Sequence, residues 1–413
     1  MNKNNLLRAT VMATALLTGS AWATDGYFPH GYGMKALGMG GASVAMTDNA
    51  FAGANNPATA AFAGNRAELG VNLFSPKRSA VTANGQGGLM ETQSDSNYFL
   101  VPEFGYNKVL DAKTSWGVTV YGNGGMNTNY PQSIMGGAGR TGVDLMQLIV
   151  APTWAYKISE QHSVGVSPLL VYQQFKAEGL QGFGIAPNKG SDSSSGVGVR
   201  VGYFGQLSDA VSLGVSHSPK ISMSKFDKYA GLFANQGGFD IPANSAVGVA
   251  VQATPAVKVA LDYQKIQYGG VPAIANSSQN MLQCQSNAAY CLGAANGPGF
   301  GWTDANVVKV GLEWRYTSSV TLRAGYNKST NPVKSADVTF NILAPGVITQ
   351  HYTLGGSYQL SKDSELTWAY MYAPKNTVTG NSLFATMAGM PGAWTDSVRM
   401  SQQSLGMQYG WKF

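Results

Sequence analysis

The sequence predicts an all-β fold: a 14-stranded antiparallel transmembrane β-barrel with an N-terminal hatch plugging the lumen. Three observations point there. Apolar residues alternate strictly up to Phe413, short and long links alternate along the chain, and a Gly- and Ala-rich stretch, 24–65, precedes the first strand.

The C-terminal residues carry the first observation. Leu405, Met407, Tyr409, Trp411 and Phe413 are apolar, while Gln408, Gly410 and Lys412 between them are small or polar. This is the period of a strand, not of a helix. Chain ends usually fray, and an unprotected aromatic edge strand invites aggregation in water. A barrel strand must instead alternate apolar residues toward lipid with polar ones toward the lumen. A terminal aromatic on the outer face also resembles the signal that outer-membrane barrels present to the barrel assembly machinery.

Composition agrees. Charged residues make up 12% of the chain, against about 25% in ordinary soluble domains. Glycine is abundant, at 52 of 413 residues. Past the N-terminus no stretch approaches the ~18 consecutive apolar residues of a spanning helix. A chain in lipid without such helices has to close into a barrel, so that no strand edge is left unpaired. The pI is near 9.1, yet Lys and Arg are not clustered, so no nucleic-acid partner is expected. Lys3 and Arg8 precede the apolar run 9–19 and the small-residue site Ala21-Trp22-Ala23. That is the pattern of a secretory signal peptide over 1–23. The mature chain is then expected to start at Thr24, with the net charge lowered from +6 to +4, and to reside in the bacterial outer membrane.

Fourteen segments alternate in the barrel manner: 66–74, 96–107, 114–122, 143–157, 162–176, 196–207, 211–226, 244–253, 256–268, 304–316, 319–328, 348–360, 363–374 and 401–413. In one of them Val308, Val310, Leu312, Trp314 and Tyr316 point outward, and Lys309, Gly311, Glu313 and Arg315 inward. The links include short ones at 208–210, 254–255 and 361–362, and long ones near 75–95, 123–142, 177–195, 227–243, 269–303, 329–347 and 375–400. Short periplasmic turns and long extracellular loops are the habit of outer-membrane barrels. The barrel is therefore assigned to 66–413 with both ends periplasmic. The preceding segment, 24–65, is too long for a simple tail, and a lumen of fourteen strands is wide enough to need filling.

The two cysteines, Cys284 and Cys291, travel an oxidising route, so a disulfide between them is expected; two lone thiols are the alternative. No His or further Cys lies nearby, so neither a metal site nor a cofactor is expected.

The run from Gly31 to Ala42 (GYGMKALGMGGA) leads to Asp48-Asn49-Ala50 and then to Asn55-Asn56-Pro57-Ala58. This resembles the N-terminal hatch of the FadL/TodX family of outer-membrane transporters. The resemblance implies a monomeric plugged barrel that passively takes up hydrophobic molecules, long-chain fatty acids or hydrocarbons. It also implies capture in an apolar groove between extracellular loops, binding in the lumen, and sideways release into the membrane past a kinked third strand. Outer-membrane lipid and lipopolysaccharide are the expected surroundings.

The residues supply candidates for each step. Leu180, Phe183 and Ile185, then Leu232, Phe233 and Phe239, lie on two long loops. Exposed apolar loop residues fit a capture surface, and loop-to-loop packing is the bland alternative. Gly122, Gly124 and Gly125 end the third strand and suggest a kink that removes ladder bonds; a plain loop start is the alternative. Pro57 biases Asn56 toward an extended conformation and sets a turn in the hatch, a structural role at least as fitting as ligand contact. By alternation Arg200, Lys309, Arg315 and Arg323 point inward. Arg200, Lys309 and Arg323 are the candidates to meet a ligand's charge, against an internal salt-bridge network with Glu313 and Asp262.

Two rival functions remain at this stage. A general diffusion porin for small polar solutes would need an open lumen and no plug. An outer-membrane enzyme would need a catalytic set, but the four histidines His30, His162, His217 and His351 accompany no Gly-x-Ser-x-Gly elbow and no Ser/His/Asp grouping, so the chain is not read as an enzyme.

Overall fold

A computed structural model describes residues 25–183 and 188–413. The signal peptide expected at 1–23 and the capture residue Ile185 lie outside the described residues. The strands are β1 Arg66–Asn84, β2 Leu89–Gln93, β3 Phe99–Val109, β4 Thr114–Tyr130, β5 Thr141–Lys157, β6 His162–Glu178, β7 Asp192–Gln206, β8 Val211–Ser218, β9 Asn244–Thr254, β10 Val257–Ile266, β11 Ala305–Arg315, β12 Val320–Ser329, β13 Gln350–Gln359, β14 Ser364–Asn381 and β15 Trp394–Lys412. β2 and β3 share one place in the wall, because both pair with β1, at different heights. The wall is thus fourteen strands around. Every pairing is antiparallel between neighbours, and β15 closes onto β1 from Arg66↔Lys412 to Asn84↔Trp394.

Alternation places the outer face as expected. Val308, Val310, Leu312, Trp314 and Tyr316 are exposed, while Lys309 and Gly311 face in. The closing strand exposes Leu405, Met407, Tyr409 and Trp411. Phe413 sits at the short-turn rim, where its N–H donates to the Asn65 carbonyl at 3.3 Å and its ring lies 5.7 Å from that of Tyr106.

The long links are partly strand. Most of 75–95 forms a hairpin of β1 and β2, β4 runs on to Tyr130, and β14 and β15 reach into 375–400. These extensions pair on the long-loop side with residues such as Thr377, Thr379 and Asn381 against Arg399, Ser397 and Thr395. Their outward positions do not carry the apolar signal of a lipid-facing strand, so period-two hydrophobicity missed them. β8 is shorter than the segment 211–226, ending at Ser218 just before Pro219.

The hatch fills the bore. From Asp25 to Ala63 all residues are buried except Thr47, Asp48, Asn55 and Phe62, which are partly so. Its single short helix, α1 (Met34–Gly38), has N-terminal N–H groups that nothing in the helix can satisfy. The wall supplies the acceptors: Glu103 takes the Gly33 N–H at 3.0 Å and Gln408 takes that of Met34 at 2.9 Å. The main apolar cluster lies toward the long-loop end, where the start of the hatch, the upper halves of β4–β6 and the loops meet.

Candidate ligand path through loops, lumen and wall

Asn56 is the stitch that seats the hatch. Its Nδ2 donates to the carbonyls of Val44 (2.8 Å) and Tyr203 (2.9 Å), and its Oδ1 accepts the Ala58 N–H at 3.1 Å. Pro57 begins the 3-10 turn Pro57–Phe62, where a missing N–H is no loss. Asn55 ties back to the Tyr32 carbonyl at 3.0 Å. The wall approaches so closely that side chains are excluded. A Cβ on Gly202 would lie 2.0 Å from the Asn56 Oδ1, and one on Gly214 would lie 2.0 Å from the Val44 carbonyl oxygen.

The inward cations are occupied. Arg200 donates to the carbonyls of Gly53 and Ala54 and to the Tyr121 hydroxyl. Lys309 donates to the His30 carbonyl at 2.8 Å. Arg323 pairs with Glu313 at 2.7 Å and donates to Ser357. The hatch and the wall thus take their hydrogen bonds, and the Arg323–Glu313 pair is of the internal kind weighed against ligand contact. Arg200 and Lys309 do border a polar cavity with Asp262, Gln264 and Tyr32.

Asp262 was expected in a salt-bridge network, yet one of its carboxylate oxygens caps hatch backbone, accepting the N–H groups of Ser43 (2.7 Å) and Val44 (3.0 Å). His30 of the hatch stacks on His351 of β13 with ring centroids 5.4 Å apart. Burial, then the neighbouring Lys309 charge, holds the His30 imidazole down at about 3. Burial pushes the Asp25 carboxyl up to about 6, with Asn327 donating to one oxygen at 3.1 Å.

At the long-loop end, Leu180, Phe183, Leu232 and Phe233 line one apolar groove together with Phe300 and Phe340. Phe183 lies 5.3 Å from Phe340 and 5.4 Å from Phe384 between ring centroids. Cys284 and Cys291 are joined in a disulfide, and Leu292 beside it also lines the groove. Phe239 is buried beneath, 5.0 Å from Phe233 and 6.4 Å from Tyr27. Tyr27 in turn lies 6.2 Å from Trp302. The rings thus form a continuous series from groove to hatch. Tyr268 anchors its lower end, its hydroxyl accepting the Tyr27 N–H (3.1 Å) and donating to the Asp25 carbonyl (2.5 Å).

The series ends at an interruption of the wall. The β3–β4 ladder stops at Phe104↔Val120, whereas β4 continues to pair with β5 up to Tyr130↔Thr141. On the β4–β5 side the register slips between Gly122 and Gly124, and Gly124 has φ +135°. This is a bulge, which bends a strand and disrupts its pairing. On the other side of the gap Pro102 has no N–H to offer a ladder. Above it, the Asp95 N–H donates to the Asn129 carbonyl at 2.9 Å. Gly125 and Met126 back onto an apolar cavity lined by Trp302 and Met400. The sequence signalled the glycines but not Tyr27, Tyr268 or Trp302, whose role depends on loops folding back over the bore.

The chain from residue 15 to 413 matches the family model for outer membrane protein transport protein (OMPP1/FadL/TodX). Among solved structures it is similar to the toluene transporter TodX of Pseudomonas putida, at 20% identity over 93% of this chain and 99% of that one, with a TM-score of 0.68. It is similar to a Pseudomonas aeruginosa FadL homologue at 14% identity, over 94% and 100%, with a TM-score of 0.71. The Ralstonia pickettii toluene transporter TbuX aligns at 18% identity over 93% and 99%, with a TM-score of 0.63. None of the curated proteins matches the chain. Identities this low speak for the fold alone, and the family model supplies the rest: the chain belongs to the OMPP1/FadL/TodX family of outer-membrane transport proteins.

Proposed function

We propose that the protein takes up a hydrophobic small molecule, a long-chain fatty acid or a hydrocarbon, passively across the outer membrane. The apolar groove of Leu180, Phe183, Leu232 and Phe233 captures it, the ring series through Phe239 and Tyr27 leads it inward, and the gap between β3 and β4 releases it sideways into the bilayer. The two toluene transporters among the similar structures favour this ligand class. Arg200, Lys309 and Arg323 are assigned to seating the plug and the wall, in keeping with their partners. Outer-membrane lipid is the destination of the ligand, Phe413 the contact for the assembly machinery, and the working unit a monomer.

The observation that carries the proposal is the interrupted ladder, with Tyr121–Met126 of β4 lacking β3 partners beside an apolar interior. An unpaired edge facing lipid costs several kcal/mol per exposed polar group, so a gap placed there calls for a use. A diffusion porin is disfavoured because the bore is filled by buried hatch residues.

The test is Gly125→Trp, which fills the cavity behind the gap. Uptake of radiolabelled toluene and palmitate should fall by about tenfold or more, while the barrel still migrates as a folded, heat-modifiable species. Undiminished uptake by the folded variant would refute sideways release.

A further inference from the structure

The buried cations divide into two groups among the described residues. Lys35 pairs with Glu365 at 2.8 Å and Arg323 with Glu313 at 2.7 Å, whereas Arg200, Lys309 and Arg78 make no ion pair. Arg200 and Lys309 are held by hatch carbonyls. Arg78 is 4% exposed, yet it makes no ion pair among the described residues. Its Nη1 donates to the Asn127 carbonyl at 2.5 Å and its Nη2 to the Ser94 hydroxyl at 3.3 Å, while its buried Nε has no partner. The guanidinium also lies 5.6 Å from the centre of the Phe99 ring.

Its position is as unusual as its charge. Arg78 belongs to β1 and Asn127 to β4, two strands that the second wall position should separate. They touch because that position is broken between Gln93 of β2 and Phe99 of β3. The side chain therefore crosses the break at the upper end of the wall gap, where backbone pairing is missing. Arg78 also lines the narrow apolar cavity behind the gap with Phe74, Met126, Trp302, Ala344 and Met400.

A buried cation without a counter-ion is held at a cost. An anion brought beside it gains charge-assisted and bidentate hydrogen bonds, for which the planar guanidinium is well shaped. A neutral guest in the same cavity gains none of this. We propose that Arg78 is an anion-reading latch on the wall gap: the cavity behind it takes the carboxylate head of a hydrophobic acid, which draws the guanidinium from the Asn127 carbonyl and frees the upper half of β4. The proposal rests on the sideways-release reading and narrows its ligand to hydrophobic carboxylates.

Two variants and two readouts test it. In purified barrel, bromine-labelled palmitate should quench the fluorescence of Trp302, read as the difference from a Trp302→Phe protein, while bromine-labelled hexadecanol should quench it about tenfold more weakly. Arg78→Met, which keeps the bulk and removes the charge, should abolish that preference, and Arg78→Lys should retain most of it. A tenfold preference corresponds to about 1.4 kcal/mol, within reach of one charge-assisted hydrogen bond. In cells, Arg78→Met should lower the ratio of palmitate to hexadecanol uptake about tenfold. Equal quenching by acid and alcohol in the wild type would overturn the proposal, as would a parallel loss or retention of both ligands in folded Arg78→Met barrel. If the purified barrel shows the Arg78-dependent preference but cells import neither compound, the head-group site stands and the uptake reading falls.

Discussion

The Tyr27 carbonyl oxygen occupies the place of a side chain on Gly124: a Cβ built there would lie 1.9 Å from it. The start of the hatch therefore rests directly on the bulge of β4, and Gly124 is further held at φ +135°. Gly124→Ala should destabilise this contact by about 1–3 kcal/mol through backbone strain and displacement of the hatch. Hydrogen exchange at Tyr27 and Phe28 should quicken and uptake of hydrophobic ligand should drop, with barrel melting little changed. Unaltered exchange at Tyr27 would show that the contact does not hold the hatch.

Asn56 ties two parts of the hatch to each other and to β7. Asn56→Ala leaves buried carbonyls of Val44 and Tyr203 without their donor, on the order of 2 kcal/mol or more of hatch stability. The expected outcome is a folded barrel with a loosened plug, seen as rare large conductance events in planar bilayers that the wild type lacks.

Asp25 and His30 give the docked hatch opposite responses to pH. Burial raises the Asp25 carboxyl from 3.8 to about 6. Its contribution is thus full below about pH 4 and lost as pH rises through 6. Burial lowers the His30 imidazole from 6.5 to about 3. Its contribution is full above pH 6.5 and lost as pH falls through 3. The His30 displacement is the larger, so acidification from neutrality loosens the start of the hatch. In His30→Phe, which keeps a ring to stack on His351, the His30 contribution is gone and acidification should loosen the start of the hatch less. Hydrogen exchange of Tyr27 and Phe28 between pH 7 and 4 would show that weaker response, and an unchanged response would refute the assignment.

The Cys284–Cys291 disulfide closes a loop whose neighbour Leu292 lines the apolar groove proposed for capture. Closure of so short a loop contributes about 2 kcal/mol by chain entropy, spent on local order. Replacing both cysteines with serine should leave barrel melting unchanged and weaken ligand capture severalfold, measured by equilibrium binding of a fluorescent fatty acid.

The barrel itself was readable because lipid imposes one rule on every spanning strand, and residues such as Val308 to Tyr316 obey it. The strand extensions were not, since Thr377 or Arg399 lies beyond that rule. Arg78 was hidden for the same reason: it falls in a stretch that reads as a loop, 75–95, but continues β1. The kink glycines could be read because glycine in a strand is itself a signal, whereas Tyr27, Tyr268 and Trp302 meet only through contacts across the bore. Arg200 and Lys309 were placed correctly by alternation, yet alternation carries no information about which hatch carbonyls they would find.

The bare wall positions at Gly202 and Gly214 have a mechanical consequence. A wide open pore keeps its cross-section because lumen side chains brace one another. Here an internal mandrel shares the bracing with wall pairs such as Arg323 and Glu313, and at the glycines wall backbone is laid directly against the hatch. Withdrawing that mandrel would leave those bare stretches of wall without support from within, so the bore is shaped by plug and wall together.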